Sequence, residues 1–208
     1  ESGGGRVLTA AAVKAKAREV GFDLCGVAAA TQHPKLARLE TWIEEGRAGD
    51  MLYLRESLDE RSDVRLMLPT AQSVISLGCI YNTGAPYSTE TPEGRAAIAR
   101  YAWGDDYHDV LKIRVRAILQ WMADTAGPGL EALSCIDNGP VQERVFAEAA
   151  GLGWIGKNTC VINPRLGSWF FLSAIVTNAS LEADGPVADQ CGSCTRCIDA
   201  CPTGAIVE

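Results

Sequence analysis

Residues 151–159 read GLGWIGKNT and contain three glycines in the spacing G-x-G-x-x-G. In dinucleotide-binding proteins this spacing follows a strand and opens a helix, so that the pyrophosphate lies on the helix N-terminus. Here the order is reversed, because the helix-like VQERVFAEAA (141–150) precedes the glycines and the strand-like TCVIN (159–163) follows them. The sequence therefore indicates a glycine-rich connection whose backbone lies close to a large flat group, and not a doubly wound nucleotide fold.

Hydrophobic periodicity predicts an α+β domain around this connection. A helix at 9–20 begins near Thr9 and stops at Gly21. Buried strands are predicted at 22–30 and 73–81, and the β-branched run SVISLGCIY of the second fits a central strand. The other predicted elements are helices from Pro34 to Gly46, at about 106–125 and at 141–150, a short strand at 131–136, and a hairpin of TCVIN (159–163) and SWFFLSAIV (168–176) joined by PRLG.

The overall composition is that of one sizeable globular domain with a small appendage. The 208 residues are 47% hydrophobic and 22% charged, and the net charge of −7 argues against a general nucleic-acid coat. No run approaches the roughly 18 apolar residues that cross a bilayer. The first ten residues lack a signal-peptide core and a twin-arginine pair. We therefore expect residues 1–8 to be a disordered or vector-derived lead and the chain to be cytoplasmic.

Four of the eight cysteines crowd into the segment CGSCTRCIDACP (191–202). The spacing C-x2-C-x2-C-x3-C-P is the bacterial ferredoxin signature, in which three thiolates bind one cubane and the fourth turns towards a second. A structural zinc site, the alternative, normally pairs two C-x2-C halves across a longer loop. The sequence therefore predicts iron ligation by Cys191, Cys194, Cys197 and Cys201.

The ligand count of this cysteine segment is incomplete. The first three cysteines lack a fourth ligand for one cluster, and Cys201 lacks three for the other. Single cysteines in apolar stretches, where a thiol acts as a small hydrophobe, are Cys25, Cys79, Cys135 and Cys160. We therefore expect two [4Fe–4S] clusters whose remaining ligands lie outside this chain, and a larger domain that uses their electrons.

Four stretches together resemble the epoxyqueuosine reductase family, which are cobalamin-dependent iron–sulfur enzymes of queuosine synthesis in tRNA. They are YAWGDDYHDVL (101–111), DNGPVQERVFAEAAGLGWIGKNT (137–159), NPRLGSWFFL (163–172) and CGSCTRCIDACPTGAI (191–206). The likeness runs in order over most of the chain. Family members continue into a second cysteine set and often a helical-repeat domain that helps to hold tRNA. The resemblance therefore implies a chain that is cut short after the first cysteine motif.

The resemblance implies a fold, a reaction and partners. The fold is an α+β, mixed-sheet cobalamin-binding domain (9–184), similar to the core of corrinoid reductases and dehalogenases, followed by the incomplete start of a ferredoxin-like domain (185–208). The reaction is reduction of epoxyqueuosine to queuosine in the tRNA anticodon loop, with low-valent, base-off cobalamin that the clusters reduce. The partners are this tRNA and a one-electron donor such as flavodoxin or ferredoxin. The protein is expected to be a monomer that binds no membrane.

Asp137 is the predicted catalytic acid. An epoxide oxygen needs a proton as it leaves carbon, and a carboxylic acid whose pKa is raised by burial can supply it. Asp137 follows the predicted strand and precedes the turn NGP (138–140), and the resemblance places the family's proton donor at this position. The alternative is an Asx-turn or a helix-capping aspartate, which D-N-G-P also suits.

Tyr107 and His108 begin the predicted long helix, where both side chains are expected to face the substrate or the corrin. His108 is equally compatible with a hydrogen-bonded structural histidine, and we do not assign it as an axial cobalt ligand because an open cobalt face suits epoxide reduction. The other predicted cofactor-binding residues are Arg61, Trp154, Lys157, Asn158 and Ser168, with Trp169 in the same pocket. Surface charge is the alternative for Arg61, and core packing is the alternative for Trp169.

Two other functions are compatible with the cysteine segment. Corrinoid reductive dehalogenases share the plan of a corrin domain with a two-cluster tail, although they are usually exported with a twin-arginine signal. An electron-transfer module that only docks to a partner predicts no cobalamin and no role for Asp137. Retention of corrin absorbance through desalting distinguishes that module from the enzyme.

Overall fold

The computed structural model describes residues 7–207. Positions 1–6 of the lead predicted at 1–8 therefore lie outside the described residues. The helices are α1 (Ala10–Glu19), α2 (Arg38–Glu44), α3 (Leu52–Glu56), α4 (Leu58–Ser62), α5 (Tyr107–Ala126), α6 (Glu143–Ala149) and α7 (Arg196–Asp199). The strands are β1 (Leu24–Ala29), β2 (Ser73–Ile80), β3 (Ala132–Cys135), β4 (Trp154–Ile155), β5 (Val161–Ile162) and β6 (Phe170–Thr177).

A four-stranded sheet with the order β1–β2–β6–β3 forms the centre of the fold. Its register runs from Leu24 opposite Gly78 to Ala29 opposite Ser73, and the β2–β6 pair extends over eight residues of each strand. All three pairs are antiparallel. The α+β class is confirmed, but the mixed sheet is wrong. The connections from β1 to β2 and from β3 to β6 each start and end at the same end of the sheet, so neighbouring strands run in opposite directions.

Helices cover both faces of this sheet. Successive residues of β2 point to opposite faces, so Val74 packs in the core that contains α6, and Ile75 packs in the core that contains α1 and α5. A strand that is buried on both faces needs a nearly continuous apolar sequence. The prediction that SVISLGCIY forms a central strand is confirmed.

The two longest helices begin at caps that their sequences supply. Thr9 Oγ1 accepts the backbone N–H of Ala12 at the start of α1, and Gly21 follows the helix with a φ of +97°. Asp106 accepts the backbone N–H of His108 at the start of α5. The buried residues of α5 recur at helical spacing, which confirms its amphipathic prediction; they are Leu111, Val115, Ile118 and Met122.

The hairpin predicted between TCVIN and SWFFLSAIV is wrong. The strand β5 pairs with β4 in a separate two-stranded sheet, whereas β6 lies between β2 and β3 in the central sheet. The PRLG turn does form, because Asn163 and Gly167 exchange backbone hydrogen bonds of 2.8 and 3.0 Å. The strand β6 carries apolar side chains on both faces, and the interior of the central sheet buries them better than an isolated hairpin does.

The glycine-rich stretch forms the chain reversal and first strand of the β4–β5 hairpin. Gly151 follows α6 with a φ of +78°, in the left-handed region that commonly ends helices. A Cβ at Gly153 would overlap the carbonyl oxygen of Ile162 on the facing strand. The order of helix, glycines and strand that argued against a dinucleotide loop is confirmed.

Beyond β6 the chain runs along the outer edge of β1. Asp184 donates its backbone N–H to Val27 O (2.9 Å), accepts the Val27 N–H through Oδ2 (2.8 Å) and forms an ion pair with Lys14. These bonds occupy edge groups that would otherwise be unpaired. The domain boundary near residue 185 stays a prediction. Within residues 7–207, no helix combines the length and hydropathy needed to cross a membrane.

Candidate active site

Three of the predicted site residues meet where α5 begins and the loop after β3 passes it. Tyr107 Oη donates a 2.6 Å hydrogen bond to Asp137 Oδ2, and His108 Nε2 lies 3.8 Å from the same oxygen. Asp106 Oδ1 lies 2.8 Å from the other ring nitrogen of His108. The helix N-terminus therefore presents a phenol and an imidazole to one carboxylate, and the imidazole is oriented from its other side.

Stacked rings hold the Tyr107 phenol in place. The Tyr107 ring lies parallel to that of Phe171 on β6, with centroids 4.2 Å apart, and His108 stacks on Tyr107 at 4.0 Å. Burial raises the pKa of Tyr107 well above its usual range, and the hydrogen bond to Asp137 raises it further. Tyr107 therefore keeps its phenolic proton and donates it in the hydrogen bond to Asp137 Oδ2.

Asp137 occupies an unusual backbone conformation. Its φ is +60°, and a hydrogen bond of 2.7 Å from Asn138 N to Ile136 O closes a three-residue turn around it. The residue follows the end of β3 by two positions, as predicted. The expectation of a buried acid is wrong for this structure, because the side chain is 67% exposed. The carboxylate thus lies at an open face where a ligand can reach it.

Glu143, the first residue of α6, was not among the predicted site residues. Its Oε1 accepts the backbone N–H of Asp137 at 2.9 Å. Burial raises the pKa of Glu143; the hydrogen bonds from the backbone N–H groups of Asp137 and Glu143 oppose this rise, the Asp137 charge adds to it, and the Arg61 charge lowers it. An acidic residue in the first turn of a helix that directly follows the Asp137 turn was the available signal.

The β4–β5 hairpin positions three predicted cofactor-binding residues. Trp154 is buried, and its Nε1 has no hydrogen-bond partner among residues 7–207. Asn158 Oδ1 accepts the backbone N–H of Cys160 (3.1 Å), so part of this side chain stabilises the turn. Lys157 is partly buried beside it. No hydrogen bond within the described part of the chain joins this hairpin to Asp137.

Arg61 lies on the Glu143 side of the Asp137 loop. Its Nε donates to Ser57 Oγ (2.8 Å), and its carbonyl oxygen accepts from Gln142 Nε2 (3.1 Å). The Arg61 charge lowers the pKa of both Glu143 and Cys135, which opposes the larger effect of burial on each. Arg61 is thus partly buried next to the loop and is not a free surface charge.

Ser168 and Trp169 precede β6, and Trp169 faces a cavity of about 730 Å³. Ser168 is partly buried. Trp169 lines the cavity, stacks on Tyr81 at 6.1 Å and lies 4.6 Å from the Arg100 guanidinium. Tyr81 in turn contacts Phe171, whose other neighbour is Tyr107. A continuous set of aromatic contacts therefore connects the cavity wall to the Asp137 site.

Of the four clustered cysteines, Cys197 lies in α7 and the other three lie in the segments on either side of it. Backbone N–H groups, chiefly that of Ile206, and the Thr203 hydroxyl lower the pKa of Cys201 to about 7. A thiol that ionises this readily suits metal ligation. Among residues 7–207, no three Cys, His, Asp or Glu side chains are gathered as for a single metal ion. Of the scattered cysteines, Cys135 is buried as predicted, whereas Cys160 is exposed because it lies at the hairpin turn.

Comparison with known proteins identifies relatives of this arrangement. A family model described as "Epoxyqueuosine reductase QueG, DUF1730" matches residues 61–138. The epoxyqueuosine reductase of Gloeobacter violaceus is 45% identical over 202 residues, which are 96% of this chain and 61% of that protein. The epoxyqueuosine reductase of Leadbetterella byssophila is 38% identical over 195 residues, which are 93% of this chain and 63% of that protein. The chain spans about 60% of the length of the curated relatives it matches.

Solved structures give the same result. Epoxyqueuosine reductase from Streptococcus thermophilus superposes with a TM-score of 0.82 at 30% identity, over 95% of this chain and 53% of that one. An epoxyqueuosine reductase solved with an epoxyqueuosine-modified tRNA-Tyr stem loop has a TM-score of 0.80 at 33% identity. The match covers 94% of this chain and 52% of that one. The epoxyqueuosine reductase of Bacillus subtilis, solved with its catalytic loop swung out of the active site, has a TM-score of 0.79 at 32% identity. The match covers 94% of this chain and 52% of that one. Over the residues that it contains, the chain is similar in sequence and in fold to epoxyqueuosine reductases.

Proposed function

We propose that this chain forms the corrin-binding and proton-donating part of an enzyme that reduces epoxyqueuosine to queuosine in the anticodon loop of tRNA. The observation that carries the proposal is the meeting of Tyr107, His108 and Asp137 at an exposed face. It is supported by the similarity to an enzyme solved with an epoxyqueuosine-modified stem loop. The proposed location is the cytoplasm, where tRNA is modified, and the proposed assembly is a monomer.

The reaction needs two electrons and two protons for each epoxide. Both carbon–oxygen bonds break, a carbon–carbon double bond forms, and the oxygen leaves as water. Asp137 is the proposed acid that protonates this oxygen, and Tyr107 and His108 hold its carboxyl group towards the open face. When bound, low-valent cobalamin would supply the two electrons, and iron–sulfur clusters held by the clustered cysteines would deliver electrons from flavodoxin or ferredoxin.

The proposed corrin-binding residues offer donors of the right kind. Trp154 Nε1 is a buried donor without a partner in residues 7–207, as expected where a corrin amide completes the hydrogen bond. Lys157 and Asn158 lie on the same hairpin, and Arg61 and Ser168 are partly buried on other segments. Cys191, Cys194, Cys197 and Cys201 are the proposed cluster ligands.

Movement of the Asp137 loop is a part of this proposal. The similar Bacillus subtilis enzyme has been solved with its catalytic loop swung out of the active site. In the present structure Asp137 bonds to Tyr107, and we take this arrangement as the inward position of the loop. We propose that the inward position is the one that protonates substrate, and that outward movement admits or releases the anticodon loop.

Anaerobic turnover tests the proposed function. The full-length protein is reconstituted with iron, sulfide and cobalamin, reduced, and mixed with an epoxyqueuosine-bearing anticodon stem-loop. We expect queuosine as product, corrin absorbance that survives desalting, and about eight irons per protein if both clusters are present. Asp137→Asn is expected to keep cobalamin and iron but to lose turnover by about 100-fold or more. Wild-type turnover in that variant would remove Asp137 from the mechanism, and loss of the corrin on desalting would favour an electron-transfer module.

A further inference from the structure

Asp137 is held in a conformation that it would rarely adopt alone. Its φ of +60° lies in the left-handed region, and the Asn138 N–H to Ile136 O bond closes an even tighter turn than a β-turn. A residue with a Cβ persists in such a turn only where its surroundings hold it there. Something outside the turn must therefore stabilise the loop of residues 137–142, the Asp137 loop.

The start of helix α6 supplies that stabilisation, through its first residue Glu143 and through Gln142, the residue that precedes the helix. Glu143 Oε1 accepts the Asp137 N–H at 2.9 Å, across six residues of chain. Gln142 Nε2 donates to the carbonyl oxygens of Leu36 (3.0 Å) and Arg61 (3.1 Å) and so attaches the end of the loop to the preceding segments. The core residues Val145 and Phe146 follow directly in α6, which fixes the position of Glu143.

The Glu143 bond acts on the same residue that Tyr107 contacts. Tyr107 holds the side chain of Asp137 through Oδ2, and Glu143 holds its backbone N–H. A carboxylate acceptor makes the backbone bond charge-assisted, and it is therefore stronger than a bond to a neutral oxygen. Release of either bond leaves Asp137 attached from one side only.

We propose that Glu143 is the positioning residue of the Asp137 loop: its carboxylate holds the Asp137 backbone N–H and thereby keeps the Asp137 carboxylate against Tyr107. Glu143 does not touch substrate or cofactor in this role, and it acts through Asp137. The inference rests on the proposed function of Asp137 as the proton donor. Because Glu143 binds a loop of this same chain, the inference can be tested without cofactor.

Hydrogen exchange of the Asp137 amide, followed by NMR, is the direct test. Glu143→Met keeps the side-chain length and suits a helix, but it removes the acceptor. We expect exchange of the Asp137 amide to accelerate by about 10- to 100-fold in this variant. Glu143→Gln keeps an oxygen acceptor without the charge and is expected to accelerate exchange by about fivefold. Exchange in Glu143→Met at the wild-type rate overturns the inference.

Glu148→Met on the same helix is the matched control. Glu148 Oε1 accepts the backbone N–H of Ile155 at 2.8 Å, so its loss is expected to accelerate exchange at Ile155 and not at Asp137. Equal acceleration at Asp137 in both variants indicates general loosening of α6 and also overturns the inference.

Turnover by the reconstituted full-length protein adds a second readout. Glu143→Met is expected to lower kcat about tenfold or more with little change in KM for the stem-loop, and Glu143→Gln is expected to restore most of it. An unchanged kcat despite faster exchange overturns the positioning role. A wild-type protein that does not turn over the stem-loop contradicts the proposed function instead, and the exchange rates still decide whether Glu143 holds the loop.

Discussion

Tyr107 Oη and Asp137 Oδ2 are joined by a hydrogen bond of 2.6 Å across thirty residues of sequence. The bond connects the first turn of α5 to the loop after β3, and Phe171 of β6 supports the Tyr107 ring. Because the phenol donates to only one oxygen of the carboxyl group, the side chain is held in place and yet stays open to solvent. This geometry suits an acid that meets a large substrate at the protein surface.

The Tyr107 pKa reports the presence of the Asp137 charge. In the wild type, burial and the bond to Asp137 both raise this pKa above the ordinary value of 10. Asp137→Asn removes the negative charge that disfavours the phenolate, so the Tyr107 pKa is expected to fall. It should stay above 10, because burial is the larger cause. Ultraviolet titration of phenolate formation measures the change, with Tyr107→Phe identifying the signal.

Asp109→Asn is the control for this titration. Asp109 lies in the first turn of the same helix, but its side chain is 76% exposed, and its recorded partner is Lys112. Its replacement should leave the Tyr107 titration unchanged. A Tyr107 pKa that is equal in the wild type and in Asp137→Asn contradicts the hydrogen bond.

The raised pKa of Glu143 makes the stability of the protein depend on pH. The folded state binds this proton more tightly than the unfolded chain, whose glutamate has an ordinary pKa of 4.5. The resulting stabilisation is complete below pH 4.5 and is lost as the pH rises through the raised pKa. Asp137, Arg61, Cys135 and Tyr107 are the titratable or charged groups whose charges couple to it.

Glu143→Gln cannot titrate and so removes this dependence. The free energy of unfolding of the wild type, minus that of the variant, is expected to decrease as the pH rises from below 4.5 towards neutral. Urea unfolding at a series of pH values measures it. Glu44→Gln, which replaces an exposed carboxylate on α2, controls for the general loss of one surface charge. A difference that is independent of pH contradicts the burial of Glu143.

The sequence predicted most elements because their signals are local. Thr9 and Gly21 delimit α1, and the apolar run of β2 requires burial on both faces. The pairing of β5 was missed, because two residues of strand carry no information about which partner they bond. Glu143 was missed for a similar reason. Its carboxylate accepts the backbone N–H of Asp137, six residues earlier, and only the folded loop brings these two groups together. Long-range pairing and bonds to backbone are the physical information that periodicity lacks.

Gly153 is expected to tolerate no larger side chain. A Cβ at this position would overlap the Ile162 carbonyl oxygen across the β4–β5 pair, and neither backbone can withdraw without losing the hairpin. Gly153→Ala should destabilise the protein by about 1–3 kcal/mol, as measured by urea unfolding. At Gly84 a Cβ meets no atom within 4 Å, so Gly84→Ala should change stability by less than about 0.5 kcal/mol. Equal stability of the two variants contradicts the close approach of the strands.

Arg100 is expected to hold the loop that forms the cavity wall. It is only 9% exposed, and its guanidinium donates to four oxygen atoms in the segment that precedes it. The acceptors are Asn82 Oδ1 (2.7 Å), Thr83 O (2.9 Å), Ala85 O (2.7 Å) and Pro86 O (2.9 Å). The same group lies over the rings of Tyr87, Trp103 and Trp169. A lysine ammonium has three donors and no planar face, so it cannot replace all these contacts.

Arg100→Lys should therefore open the loop locally while leaving the central sheet folded. Loss of charged, part-buried hydrogen bonds to these oxygen atoms is expected to cost about 2–4 kcal/mol in the local opening free energy. Hydrogen exchange of residues 82–99 should accelerate, and exchange in β2 should not. Arg95→Lys, an exposed position in the same loop, is the matched control and should leave both unchanged. If exchange in residues 82–99 is the same in all three proteins, Arg100 does not hold the loop, and the cavity wall depends on the aromatic contacts alone.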